Sequence, residues 1–133
     1  MTGGQTCALP ISIEDIVNHD KSILVEEFID GREISTHTIS GFRGKDVYTM
    51  PVLEKISVLE KEKLSKMLID IHNHLNIKHY LNSTFVLHSK RGFFLKHIDF
   101  FPDIKKDSHF HKTVLYIGSS PKQIVEHLIE QVL

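Results

Sequence analysis

Ile23-Leu-Val-Glu-Glu-Phe-Ile-Asp-Gly-Arg-Glu33 is the stretch from which the rest of the chain is best approached. Its β-branched and aromatic residues predict a strand from Ile23 to Ile29, and Asp30-Gly31 is the dipeptide that closes a two-residue hairpin. Closure would bring Glu26, Glu27 and Glu33 to one end of a sheet, where a small polar ligand could be held. Taken alone, this is a hairpin with an acidic rim. The order of elements around it adds specificity.

Working outward, the partner strand is expected over Arg32 to Ser40, where Ile34, Thr36, Thr38 and Ser40 alternate with Ser35, His37 and Ile39. Gly41-Phe-Arg-Gly44 supplies a turn. Val47 to Leu53 reads as an edge strand, the position in a sheet where Pro51 is tolerated. Ser57 to Leu75 is the clearest helix. Leu64, Met67, Leu68, Ile71 and Leu75 form its apolar stripe, and Glu60 to Lys63 with Lys66 fill the other face. Ser83 to His88 and Phe93 to Asp99 predict a second hairpin, with Phe85, Leu87, Phe94 and Ile98 or their neighbours on its inner rows.

A loop carrying Pro102 then leads to a helix from His109 to Ile117, stopped by Gly118. Ser120-Pro121-Lys122-Gln123 combines an N-cap, a proline at the first helical position and a Gln at the third. Ile124, Leu128 and Val132 would be the buried stripe of that last helix. Upstream, Ser12-Ile13-Glu14-Asp15 starts a short helix to about His19. The order α-β-β-β-α-β-β-α-α predicts an α+β fold, a largely antiparallel sheet with flanking helices.

Residues 1–12, MTGGQTCALPIS, have no periodicity. Thr2 to Ile11 resembles the translation of a sequencing adapter; the alternative is a disordered leader. The adapter reading makes the chain the tail of a longer protein and strips Cys7 of meaning, and the domain is placed at 13–133.

With 133 residues, the chain is one domain's worth. Hydrophobic residues make up 41% and charged residues 25%, and the net charge is -1 with no long block of either sign, so nothing points to nucleic acid or an anionic membrane. No apolar run approaches the roughly 18 residues that would span a bilayer, and no secretory leader is recognisable. A cytoplasmic location is expected. Ten histidines are the compositional oddity. His72, His74 and His79 lie in or after the long helix and His109 and His111 flank Phe110. Imidazoles suit a transition metal, but His72 and His74 are two apart on a helix and point in different directions. Solvated or locally hydrogen-bonded histidines are therefore expected.

In this order, Leu24-Val-Glu-Glu-Phe-Ile-x-Gly-Arg-Glu33, the mid-chain helix, the final hairpin, the proline loop and the closing helix resemble the C-terminal, ATP-binding domain of the ATP-grasp superfamily, and within it D-alanine–D-alanine ligase. The resemblance covers Ile13 to Leu133. It implies ATP and Mg²⁺ as cofactors and an upstream half of the enzyme as partner. The reaction it implies is acyl-phosphate ligation of a carboxylate to an amine in peptidoglycan precursor synthesis. Glu26 and the backbone at Glu27 and Ile29 would line the adenine, and Glu33 would accept from the ribose hydroxyls.

Several positions depart from that pattern. Thr84, His97 and Asp99 stand where the family holds Mg²⁺ with Asp, Glu and Asn, so one carboxylate remains where a hard cation needs oxygen. Asn82 replaces a basic residue of the substrate site. Ser108 keeps a substrate-loop serine, but Asp103 replaces the glycine after Pro102. Only Glu54-Lys-Ile56 stands where the family has a loop bearing Lys and Tyr. No glycine-rich phosphate cradle occurs in the chain. The resemblance thus implies a ligase part inactive as this chain, with a non-catalytic nucleotide-binding or interaction domain of the same fold as the alternative.

Overall fold

The computed structural model describes residues 24–133, so the leader, the helix expected from Ser12 and Ile23 itself lie outside the described residues. The chain divides into two units, Met1–Asp30 and Gly31–Leu133, and the architecture below is that of the second. Its elements are β1 (Arg32–Ser40), a 3-10 turn (Phe42–Gly44), β2 (Val47–Thr49), α1 (Val58–His74), β3 (Tyr80–His88), β4 (Gly92–Asp99), α2 (His109–Tyr116) and α3 (Pro121–Val132). The four strands form one antiparallel sheet in the order β2-β1-β3-β4. The α+β expectation is met.

β1 is central and amphipathic on both sides. Its pairing with β3 runs from Arg32↔Leu87 to Ile39↔Tyr80. Because side chains alternate across a pleated strand, Ile34, Thr36 and Thr38 share one face with Leu81, Ser83, Phe85 and Leu87. There Ile34, Phe85 and Leu87 pack with Leu64 and Leu68 of α1, joined by Val52, Met67, Ile71 and Phe93. On the opposite face Ile39 and Tyr80 pack with Met50, Phe110, Val114 and Ile124, so α2 and α3 cover only that end.

Helix ends follow the sequence closely. Ser57 and Glu60 form a reciprocal capping box, Glu60 N donating to Ser57 Oγ at 3.1 Å and Ser57 N to Glu60 Oε1 at 2.8 Å. Ser120 Oγ accepts from Gln123 N at 3.2 Å, with Pro121 at the helix start. Ser108 caps α2 in the same manner through His111 N at 3.1 Å.

Four expectations need correction. First, Leu24–Asp30 forms no strand, and Leu24, Val25 and Phe28 are exposed. A strand exists through a partner ladder, and both edges of β1 are already taken. β3 runs along one, and β2 with residues 50–57 runs along the other. On that side Met50 N donates to His37 O at 2.9 Å, Ser35 N to Glu54 Oε2 at 3.1 Å and Arg32 Nη1 to Lys55 O at 2.8 Å. Gly31 is therefore not the corner of a hairpin; a Cβ there would collide with the Leu87 carbonyl.

Second, β2 stops at Thr49 rather than Leu53, because Pro51 has no N–H for a ladder and the Glu54 side chain supplies the acceptor beyond it. Third, Phe93 rather than Phe94 faces α1: the register shift between Thr84 and Phe85 makes Lys96 an extra residue, so Phe93 and Leu95 share a face with Ile98. Fourth, Leu75 and Val132 are exposed at their helix ends, and the buried place in the last turn of α1 goes to His72.

His72 is hydrogen-bonded at both nitrogens, Nδ1 to Thr38 Oγ1 at 2.9 Å and Nε2 to Ser40 Oγ at 2.6 Å. Ser40 Oγ donates to Ile77 O at 3.1 Å, so a neutral ring donating from Nε2 and accepting at Nδ1 satisfies every group. Burial holds this histidine below its ordinary value of 6.5.

Two outcomes are expected. Leu68→Ala should cost about 2–5 kcal/mol and Phe110→Ala about 3–5 kcal/mol in urea unfolding. Being on opposite faces, they should add within about 0.5 kcal/mol; a larger coupling would mean that the two cores are one. Because the folded-state pKa of His72 is lowered, its contribution is complete above pH 6.5 and is lost as pH falls below it. The urea midpoint of His72→Gln should accordingly fall less steeply below that pH than that of the unaltered chain.

Candidate functional site

The part of the sheet that α2 and α3 do not cover sets polar groups beside Val86 and Phe94. Direct partners in an antiparallel pair share a face, and the register places Glu33 beside Val86, Ser35 beside Thr84 and His97, and His37 beside Asn82 and Asp99. Glu33, Thr84, His97, Asp99 and Asn82 thus lie on one face. Glu33, His97 and Asp99 are exposed, while Ser35, Thr84 and Asn82 are half-buried.

Local bonds show how these groups are already engaged. Glu33 Oε2 accepts from Lys96 Nζ at 2.7 Å, an exposed ion pair made possible by the bulge that adds Lys96. Asn82 Nδ2 donates to Ser35 Oγ at 3.1 Å and to Thr36 O at 2.8 Å, so it braces β1 against β3. Asp99 Oδ1 accepts from Phe101 N at 3.2 Å and turns the chain out of β4. Ser108 Oγ donates to Asp103 O at 2.6 Å while capping α2. Asp103 Oδ1 accepts from Lys105 N at 3.1 Å.

Magnesium calls for several oxygen ligands, usually including one or two carboxylates. Thr84, His97 and Asp99 share a face but offer one carboxylate, and imidazole is a poor ligand for so hard an ion. No group of three or more His, Cys, Asp or Glu side chains among the described residues is placed to hold a metal. The residues present do not fit Mg²⁺. Adenine recognition was expected of Glu26, Glu27 and Ile29. Glu26 and Glu27 are exposed and Ile29 half-buried, in the unit Met1–Asp30, whereas Glu33 belongs to Gly31–Leu133. Of these four, the sheet carries Glu33 alone.

Sequence reasoning missed a chain of polar groups at the rim of the same face. Tyr80 OH lies 2.6 Å from His37 Nδ1, His37 Nε2 lies 2.9 Å from His109 Nδ1, and His109 Nε2 lies 3.2 Å from Glu54 Oε2. Burial first, and then His109, pushes His37 down to about 3. Burial, reinforced by Asp99 and Asp103, pushes the Tyr80 phenol up. For Glu54, burial acts upward, yet hydrogen bonds from His109 and from Ser35 N hold it below the usual carboxylate value. Its other oxygen, Oε1, is buried without a hydrogen-bond partner among the described residues. The available signal was a histidine inside a strand, His37, together with an acid in the connector after the edge strand.

No protein-family model matches the chain, and no curated protein matches its sequence. Solved structures do match its fold. D-alanyl-alanine synthetase A from Vibrio cholerae is 17% identical with a TM-score of 0.74, over 89% of this chain and 42% of that one. The D-alanine-D-alanine ligase from Coxiella burnetii is 18% identical with a TM-score of 0.73, over 90% and 36%. The D-alanine–D-alanine ligase from Bacillus anthracis, a structure complexed with ATP, is 16% identical with a TM-score of 0.68, over 80% and 38%. This chain therefore spans about two fifths of the length of these enzymes. Among the described residues no helix is long and apolar enough to cross a membrane. Four antiparallel strands with three helices, superposing on those enzymes over most of the chain, give it the α+β fold of the C-terminal, ATP-grasp portion of D-alanine–D-alanine ligases.

Proposed function

We propose that this chain is the C-terminal part of a nucleotide cleft in a protein resembling the ATP-dependent carboxylate–amine ligases, and that it does not catalyse ligation by itself. The observation that carries the reading is the fold, which superposes on D-alanyl-alanine synthetase A with a TM-score of 0.74 over 89% of the chain. On this reading Glu33 accepts from the ribose hydroxyls after exchanging its Lys96 partner. Glu26 and the backbone of Glu27 and Ile29 meet the adenine. An exposed ion pair is weak, worth about 0–1 kcal/mol, so that exchange is not an obstacle.

The remaining chemistry argues against turnover. In the ligases ATP phosphorylates a carboxylate and an amine then displaces the phosphate, both steps moving negative charge that needs cations. The Thr84, His97 and Asp99 set is too poor in anionic oxygen to anchor magnesium. Asn82 is neutral where a basic group would steady the charge. Asp103 would repel a substrate carboxylate or acyl phosphate, and it lies in a turn held by its own backbone carbonyl bond to Ser108. Together these five departures favour a second reading within the same fold: the whole protein binds nucleotide, or a partner, without ligating. D-alanine as substrate and a cytoplasmic place in peptidoglycan precursor synthesis belong to the first reading only.

Incubated with ATP, Mg²⁺ and D-alanine, the purified chain should yield no dipeptide; dipeptide formation would overturn the assignment of inactivity. Glu33→Gln should weaken binding of a fluorescent ATP analogue about tenfold, the size of one charge-assisted hydrogen bond. Unchanged affinity would remove Glu33 from ribose recognition. The triple change T84D, H97E and D99N separates the two readings. Gain of Mg²⁺-dependent nucleotide affinity means that only the metal site has decayed, and no gain favours the non-catalytic domain.

A further inference from the structure

We propose that the cavity between α1, residues 49–52 and the end of α2 is a binding site for a small monocarboxylate with a compact apolar body. It is separate from the nucleotide reading above. Thr49 is the direct partner of Thr38 and shares its face, the one that α1 covers, whereas Glu33, Thr84, His97 and Asp99 lie on the other.

The cavity has a volume of about 200 Å³. That is room for roughly seven waters at the volume each takes in the liquid, too little for a nucleotide. α1 builds one wall. Residues three and four apart are neighbours on a helix surface, so Lys61, Leu64, Ser65 and Leu68 form one stripe, and all four line the cavity. Facing them runs the chain from Thr49 to Val52, where β2 stops because Pro51 has no N–H for the ladder. Tyr116, the last residue of α2, supplies the third side. Met50, Leu64 and Leu68 are almost wholly buried and make an apolar floor. Pro51, Val52 and the Tyr116 ring are the apolar groups still open to a ligand.

The polar lining is cationic and hydroxylic. Lys61 brings the charge, Thr49, Ser65 and Tyr116 bring hydroxyls, and no carboxylate lines the cavity. Among the described residues none of these four side chains makes a hydrogen bond or an ion pair. Polar groups on the other face are engaged by contrast: Glu33 by Lys96, Asn82 by Ser35 and Thr36, Asp99 by Phe101 N. Nor does α1 neutralise Lys61 from within. Its neighbours three and four positions away are Ser57, Val58, Leu64 and Ser65, none of them acidic. Glu60, adjacent in sequence, accepts from Ser57 N in the capping box.

An uncompensated ammonium and three hydroxyls above an apolar floor complement an anion that carries an apolar body. One cation balances one negative charge, which selects a carboxylate over a phosphate dianion. The ligand's carboxylate accepts from Lys61 Nζ at the rim, and its body lies against Pro51, Val52 and the Tyr116 ring.

Benzoate, benzamide and benzamidine share one shape and are an anion, a neutral molecule and a cation, so together they read the charge preference. Titrated into the full chain at neutral pH and constant ionic strength, benzoate should shift the methyl NMR signals of Met50, Val52, Leu64 and Leu68 saturably, with half-saturation below about 10 mM. It should bind about threefold to fivefold tighter than benzamide, the size of one exposed ion pair, and benzamidine should bind weakest. Absence of saturable shifts at those methyls, shifts centred on Lys96 and His97 instead, or no preference for the anion would each overturn the proposal. Lys61→Met keeps the apolar stem and removes the charge, so benzoate and benzamide should then bind within about twofold of each other. A preference that survives the change would overturn the role of Lys61. Ser65→Leu fills the cavity from a half-exposed helix position and should abolish benzoate binding; binding that persists would place the ligand elsewhere and overturn the site. Should either variant fail to fold, the three probes on the unaltered chain decide.

Discussion

The register between β1 and β3 is the constraint from which the other features of this protein follow. Slipping it by one residue would send Ile34, Phe85 and Leu87 to the polar face and Glu33, His37 and Asn82 into the core under α1. Held in register, a single central strand serves three environments. Ile34 packs with α1 while Thr38 and Ser40 bond to its His72. Ile39 packs with α2 and α3, and Glu33 and Ser35 lie on the part of that other face that α2 and α3 leave open. His37 stands at the boundary, which is why its imidazole is buried yet fully hydrogen-bonded.

The second edge of β1 explains the most visible departure from a simple hairpin reading. An apolar run followed by Asp-Gly is a sound hairpin signal when the next strand has a free edge to offer. Here the connector after β2 closes that edge with a backbone bond at Met50, a carboxylate at Glu54 and a guanidinium at Arg32. The Glu54 side chain in effect extends the ladder past Pro51, where a backbone donor is missing. A short strand and a long-range side-chain acceptor thus do the work expected of one longer strand.

Much of the fold was legible because local signals and tertiary packing agree. Ser57 with Glu60, and Ser120 with Pro121 and Gln123, fix helix starts by backbone chemistry that is visible in a few residues. β1 was bounded correctly by Arg32 and Ser40. The illegible parts have tertiary causes. A one-residue bulge at Lys96 swaps Phe93 for Phe94 without changing composition, and only the paired strand defines it. His72 is buried because Thr38 and Ser40 of a distant strand offer hydroxyls, and no periodicity in α1 announces that. The candidate site is divided in the same way. Glu33, Thr84, His97 and Asp99 could be set on one face from strand alternation, whereas the Tyr80–His37–His109–Glu54 chain joins four elements and has no local signature.

Fold and site chemistry therefore point in different directions: the scaffold matches D-alanine–D-alanine ligases, one of them solved in complex with ATP, while Thr84, His97 and Asp99 supply a hydroxyl, an imidazole and one carboxylate. Nucleotide recognition and metal recognition are separable demands, one met by hydrogen-bond edges and an acceptor for sugar hydroxyls, the other by clustered anionic oxygen. Calorimetric titration of this chain with ATP, in the presence and absence of Mg²⁺, addresses the separation most directly. Binding of the same affinity in both conditions is the predicted result. Affinity that rises about tenfold or more with magnesium would contradict the proposed loss of the metal site, and no binding in either condition would contradict the proposed nucleotide cleft.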